Sequence, residues 1–194
     1  MRKIVVFDFD GTLTKEDSLL AFIRYVHGTV AFWCGFLLYT PILVLMLLKC
    51  YPHGKAKEKI FSYFFKGISI EKFNMVCQQF AAAHRHLLRP QGVATVEEAQ
   101  NAGADVVIIS ASVDNWVQPF FPTVKVLGTQ IEVRDGCLTG RFLTRNCFGQ
   151  EKVNRLLEVY PDRKDYHLTA YGDSQGDREL LAFADVAHYK PFRL

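Results

Sequence analysis

The chain has 194 residues, enough for one core with an insertion and too short for two full independent domains. Hydrophobic residues make up 49% and charged residues 22%, which excludes a disordered or fibrous chain. Twenty-three Lys and Arg against 20 Asp and Glu leave a net charge of +3, too small an excess to point to nucleic acid.

In chain order, residues 3–9 form an apolar, β-branched run of strand length that ends in carboxylates, too short for the apolar core of a signal peptide. Residues 18–86 read as helices with no strand pattern, and 91–103 as an amphipathic helix closed by Gly103. Residues 105–110 are a second apolar run, and two short strand patterns, 130–133 and 138–143, flank Asp135-Gly136, a hairpin signal. Helix (150–160), strand (167–171), helix (177–183) and strand (186–189) follow. Strands apolar at every position suit a parallel sheet covered on both faces, so the fold expected is α/β, with residues 1–17 and 87–194 forming the core domain and 18–86 a helical insertion after the first strand. The five cysteines, Cys34, Cys50, Cys77, Cys137 and Cys147, form no Cys-x-x-Cys pair. An odd count without metal-ligand spacing fits a reducing, cytoplasmic setting.

The carboxyl ends of parallel strands converge on one crevice. Three apolar strands deliver polar residues there: Asp8-Phe9-Asp10-Gly11-Thr12, Ser110-Ala111-Ser112, and Gly172-Asp173-Ser174-Gln175-Gly176-Asp177. Four aspartates in one crevice repel unless a cation sits among them, and an all-oxygen donor set suits a hard ion such as Mg2+. A carboxylate beside Mg2+ can attack phosphorus, and Asp8 is placed to do so. Strand alternation would aim Asp10 to the same side, as general acid and then base. Backbone N–H groups at Gly11 and Thr12 can cradle phosphate oxygens, Ser110 and Ala111 can line the same site, and Lys152 can neutralise charge on the transferring group.

These motifs resemble the haloacid dehalogenase superfamily. Asp8-x-Asp10-Gly-Thr matches its first motif, Ser110 its second, Lys152 its third, and Gly172-Asp173-Ser174 with Asp177 its fourth. The resemblance implies a Mg2+-dependent phosphohydrolase with Asp8 as nucleophile, Asp10 as acid and base, and the metal held by Asp8, the Asp10 carbonyl and Asp173. Asp177 and Ser174 would be supporting groups, and the insertion at 18–86 a cap. The wording Asp-Phe-Asp-Gly-Thr-Leu-Thr and Cys147-Phe-Gly-Gln-Glu-Lys152 is similar to the phosphoserine-phosphatase-like subfamily IB. There, Asp17 stands where those enzymes carry a substrate-contacting Glu. Asp17 also fits a simple N-terminal cap of the following helix.

Residues 25–48 carry no formal charge, and 16 of the 20 residues 29–48 are hydrophobic. A helix of about 20 such residues would be roughly 30 Å long, the depth of a bilayer's hydrocarbon. One full crossing would separate Asp8 from Ser110, Lys152 and Asp173. The expectation is therefore a segment that bends at Pro41 and dips into the cytoplasmic face of the inner membrane, flanked by Arg24, Lys49, Lys55, Lys57 and Lys59 for anionic head groups. A buried cap core, a dimer interface or a plain helical hairpin are the alternatives for 29–48. The combination is similar to the phosphatidylglycerophosphatase C type of enzyme, which implies a lipid phosphomonoester as substrate, with a soluble phosphoamino acid or another small phosphorylated metabolite as the alternative. A non-catalytic binding module on the same fold is the third reading.

Overall fold

The computed structural model describes residues 1–48 and 50–193. Its elements are β1 (Arg2–Phe7), α1 (Ser18–Leu47), α2 (His53–Phe65), α3 (Ile70–Ala83), α4 (Pro90–Asn101), β2 (Asp105–Val113), the single turn α5 (Asp114–Val117), β3 (Lys125–Thr129), β4 (Ile131–Arg134), β5 (Cys137–Phe142), α6 (Gln150–Val159), β6 (Tyr166–Gly172), α7 (Arg178–Phe183) and β7 (Val186–Tyr189). The five-stranded sheet has order β3-β2-β1-β6-β7, all parallel, and β4 and β5 form a separate hairpin. Asp135 and Gly136 both take positive φ, the conformation that a two-residue primed turn requires. β3 has no counterpart in the sequence reading; Gly128 and the proline-rich approach at 119–122 hide it.

The sheet's two faces follow the period of two. Ile4 and Val6 of β1, with Val107 and Ile109 of β2, pack on Val153, Leu156 and Leu180 from α6 and α7. Phe7 and Ile108 face the opposite way, into the larger cluster shared with α1, α2 and α3. That cluster is aromatic: Phe22 stacks on Phe65 and Trp116 and meets Phe73 and Phe80 edge-on, with centroids 5.1–5.7 Å apart. The chain's phenylalanines are thereby concentrated where three helices seal the carboxyl ends of the strands.

Two expectations need correction. Helix α1 continues through Pro41 to Leu47 and breaks instead at Gly28, whose φ of 77° and ψ of 169° are non-helical; no Cβ contact lies within 4 Å there, so the position is chosen for conformation rather than space. The lost hydrogen bond at Pro41 falls on an exposed residue, where solvent can replace it. β1 also ends at Phe7, so Asp10 lies off the strand: residues 9–13 form a tight turn, with Gly11 at φ 79°. This turn, not strand alternation, aims Asp10.

Candidate active site

The chain leaves β1 toward β2 and β3 on one side and returns to β6 and β7 on the other. The point of reversal beside β1 is where a parallel sheet opens a crevice, and the Asp8 N–H extends the ladder by one bond to the Tyr171 carbonyl at 2.9 Å. This fixes the Asp8 carboxylate, which is 5% exposed. Its Oδ1 accepts from Lys152 Nζ at 2.5 Å and its Oδ2 from the Thr12 hydroxyl at 3.1 Å. Lys152, in the first turn of α6 and 2% exposed, also donates to Asp177 Oδ1 at 2.5 Å. Asp177 Oδ2 accepts from the N–H groups of Asp173 and Ser174 and from the Ser174 hydroxyl, at 2.9–3.1 Å. The oxygens of Asp8, Asp173 and Asp177 lie within 4.8 Å of one another.

The electrostatics differ at each carboxylate. Burial pushes the Asp8 pKa up to about 7, against the attraction of Lys152, while neighbouring Asp177 raises it further. Asp173 is also raised, mainly by burial, with the Arg193 guanidinium on its Oδ2 working the other way. At Asp177 burial is outweighed by Lys152 and the donors from Ser174, and the pKa falls below the ordinary carboxylate value. Asp177 thus serves as the fixed counter-charge of Lys152, leaving Asp8 and Asp173 as the carboxylates open to a cation. Gly11 lies against Asp173, and a Cβ there would come within 2.5 Å of Asp173 Oδ2; only glycine lets the two segments approach.

Asp10 sits across the crevice, its carboxylate outside the Asp8 cluster. Its Oδ1 accepts the Ser18 N–H at 2.7 Å, at the start of α1, and its Oδ2 accepts the Ser112 hydroxyl at 2.5 Å. Ser18 Oγ in turn lies 3.2 Å from Ser112 Oγ and accepts from Trp116 Nε1 at 3.0 Å. Burial raises the Asp10 pKa, helped by Asp17 and opposed by Lys57 and these donors. Ser110 Oγ accepts the Ser112 N–H at 3.0 Å, and the Ala111 carbonyl accepts Lys57 Nζ at 3.0 Å. Asp17 is the N-cap of α1, accepting from the N–H groups of Leu19 and Leu20 at 2.9 and 3.2 Å, and it also lines the crevice.

One crevice of about 380 Å³ opens over this arrangement. Asp8, Asp10, Ser110, Ala111, Lys152, Asp173 and Ser174 line its polar side, while Leu19, Phe36, Leu43, Met46 and Ile60 form an apolar wall. Gly11 and Thr12 stand behind Asp8 in the turn. Ser18 and Trp116 escaped the sequence reading, which placed Ser112 at the crevice without a role. Ser112 was visible beside Ser110, but nothing linear connects Ser18 or Trp116 to Asp10. Lys57 had been expected on the basic surface flank and instead points inward; Lys49 lies outside the described residues.

The chain belongs to the haloacid dehalogenase-like hydrolases, whose family pattern matches residues 5–182. It is 39% identical over 197 aligned positions to the protein CicA of Caulobacter vibrioides (strain NA1000 / CB15N), covering 98% of this chain and 86% of that one. Among solved structures, a Bordetella pertussis Tohama I protein of unknown function superposes with a TM-score of 0.82 at 22% identity, covering 96% and 89% of the two chains. A phosphoserine phosphatase from T. onnurineus superposes with a TM-score of 0.60 at 20% identity, covering 97% and 84%.

Proposed function

We propose that this hydrolase is a Mg2+-dependent phosphomonoesterase acting on a membrane lipid phosphate such as phosphatidylglycerol phosphate, with helices α1–α3 as its cap. The observation that carries the reading is the two-sided crevice, in which the Asp8–Lys152 floor faces an apolar wall built largely from α1, the helix that exposes Val30, Trp33, Leu37 and Leu38. Leu37 is 76% exposed and Trp33 62%, and α1 is long and apolar enough to cross a membrane. Exposed apolar surface of that extent fits a lipid interface. With Arg24, Lys55 and Lys59 exposed nearby, the 29–47 arm would lie on the anionic cytoplasmic leaflet, acyl chains running along the wall and phosphate reaching Asp8.

In this reading the Asp8 carboxylate attacks phosphorus, the bond from phosphorus to the alcohol oxygen breaks, and Asp10 gives that oxygen a proton. Water then loses a proton to Asp10 and attacks the same phosphorus. The bond to Asp8 breaks, releasing inorganic phosphate and regenerating both residues. A raised pKa suits Asp10 for carrying the proton, and the Ser18 N–H and Ser112 hydroxyl hold its two oxygens in place. Lys152 offsets charge on the phosphoryl oxygens, and the N–H groups of the Gly11–Thr12 turn, with Ser110 and Ala111, receive them. Asp8 and Asp173, with the Asp10 carbonyl, fit a hard cation, because Asp177 is consumed by Lys152 and the remaining donors are oxygens. Mg2+ bound there would supply charge neutralisation for the attacking carboxylate and the phosphate.

The test is a panel of phosphatidylglycerol phosphate, phosphatidate, lysophosphatidate and phosphoserine, each with Mg2+ and with chelator. Lipid turnover that needs Mg2+ and vanishes in Asp8→Asn is expected. Preference for phosphoserine over every lipid would overturn the lipid reading in favour of a soluble-metabolite phosphatase.

A further inference from the structure

We infer that Lys57 is a specificity-determining residue that receives a second anionic group of the substrate, set between the scissile phosphate and the apolar body. The inference rests on the lipid-phosphate reading above and narrows it to phospholipids carrying a phosphodiester beside the phosphomonoester. Lys57 lies on α2 between Ala56 and Ile60, two buried side chains that line the same crevice. Its Nζ donates to the Ala111 carbonyl at 3.0 Å, one residue past Ser110 on the phosphate side. An ammonium has three donors, and one carbonyl satisfies one of them.

Lys152, the other lysine that lines the crevice, is already engaged, and so are the two carboxylates on the side of Lys57. Lys152 is held between Asp8 and Asp177 at 2.5 Å each. Asp10 is held by Ser18 and Ser112, and Asp17 by the N–H groups of Leu19 and Leu20. Among the described residues, Lys57 has no carboxylate within 4.0 Å and acts on Asp10 only from beyond that distance, without a hydrogen bond to it. It is a half-buried cation with spare donors at the seam between the polar floor and the wall formed by Phe36, Leu43 and Met46. A neutral linker at that seam would leave the ammonium's donors unmatched, whereas a phosphodiester oxygen would accept one or two charge-assisted bonds.

The experiment compares kcat/KM on phosphatidylglycerol phosphate, which carries the phosphodiester, with kcat/KM on phosphatidate, which lacks it, in mixed detergent micelles with Mg2+. The enzymes are wild type, Lys57→Met and Lys57→Arg. The ratio of the two values should fall by about tenfold or more in Lys57→Met, chiefly through KM, as expected for a lost charged hydrogen bond, and Lys57→Arg should restore most of it. If wild type turns over both lipids and Lys57→Met changes them in equal proportion, the inference fails while the lipid reading stands. If wild type cleaves p-nitrophenyl phosphate but neither lipid, the lipid reading fails and takes the inference with it. Should Lys57→Met not fold, Lys57→Gln gives the same ratio, with the same two outcomes.

Discussion

The Lys152 ion triad makes the strongest stability claim, and Lys152→Met tests it with little change in side-chain volume. Lys152 is 2% exposed and its Nζ lies 2.5 Å from both Asp8 and Asp177. Removing it leaves two buried carboxylates without their counter-charge, a change that costs about 3–5 kcal/mol. At roughly 2–4 °C per kcal/mol for a chain of this size, the melting temperature should fall by roughly 6–20 °C at pH 8 with chelator present. The pH dependence has a definite sign. Asp8 already has a pKa near 7 with Lys152 beside it, and without the ammonium it goes higher. Between pH 8 and about 7 the folded variant holds a proton that folded wild type has lost, so the gap to wild type narrows there, and below pH 7 both gain stability in parallel. Asp177, with its lowered pKa, contributes wild-type stability above the unfolded value of 3.8 that is lost only below it. Urea unfolding at pH 8 and pH 5 measures both gaps, and Asp8→Asn in the Lys152→Met background should recover part of the loss. A gap under about 0.5 kcal/mol at pH 8, or one that widens at pH 5, would refute the triad as a structural element.

Asp8→Asn alone should stabilise the chelated protein at pH 8 by up to about 4 kcal/mol, since a carboxyl whose pKa rises from 3.8 to about 7 penalises the folded state once both states are ionised. That cost accrues as pH rises between those values, so the two proteins should converge near pH 4; unfolding curves that differ equally at pH 4 and 8 would contradict it. Gly11→Ala forces a Cβ to within 2.5 Å of Asp173 Oδ2 at a φ of 79°. It should cost about 1–3 kcal/mol and weaken Mn2+ binding measured by electron paramagnetic resonance, and unchanged binding would mean that Asp173 is not a ligand. Replacing Trp33, Leu37 and Leu38 together by Ser should reduce co-sedimentation with anionic vesicles by about tenfold or more. An unaltered bound fraction would remove the exposed arm from the membrane.

Most of the sheet was readable because each buried strand is a run of apolar residues bounded by small polar ones, and two carboxylates of the candidate site, Asp8 and Asp173, sit at those boundaries. Asp8 and Asp173 directly follow the last residues of β1 and β6, whereas Ser110 ends the apolar run but lies inside β2, which continues to Val113. β3 was not readable because Gly128 and an edge position dilute its pattern. The break in α1 was misplaced because a proline advertises its effect in the sequence. Gly28 discloses its own effect only when the chain must turn to lay α1 against α2, with Gly35 admitted close to Phe64.

The less readable half of the site has a common cause. Ser18 reaches Asp10 through its backbone N–H and Ser112 through its hydroxyl, while Trp116 braces the Ser18 hydroxyl; the three come from different elements, and no spacing rule links positions 94 and 98 residues apart. Their arrangement exists because the first turn of α1 is pinned against the end of β2 by the aromatic cluster around Phe22, where Trp116 both stacks on Phe22 and donates to Ser18. The helix that carries the exposed apolar arm is therefore the helix whose N-terminus orients Asp10. In the proposed reading a substrate on the arm would act on the element that orients Asp10, while the Asp8–Lys152–Asp177 triad is anchored elsewhere, at the end of β1, in α6 and in the turn after β6.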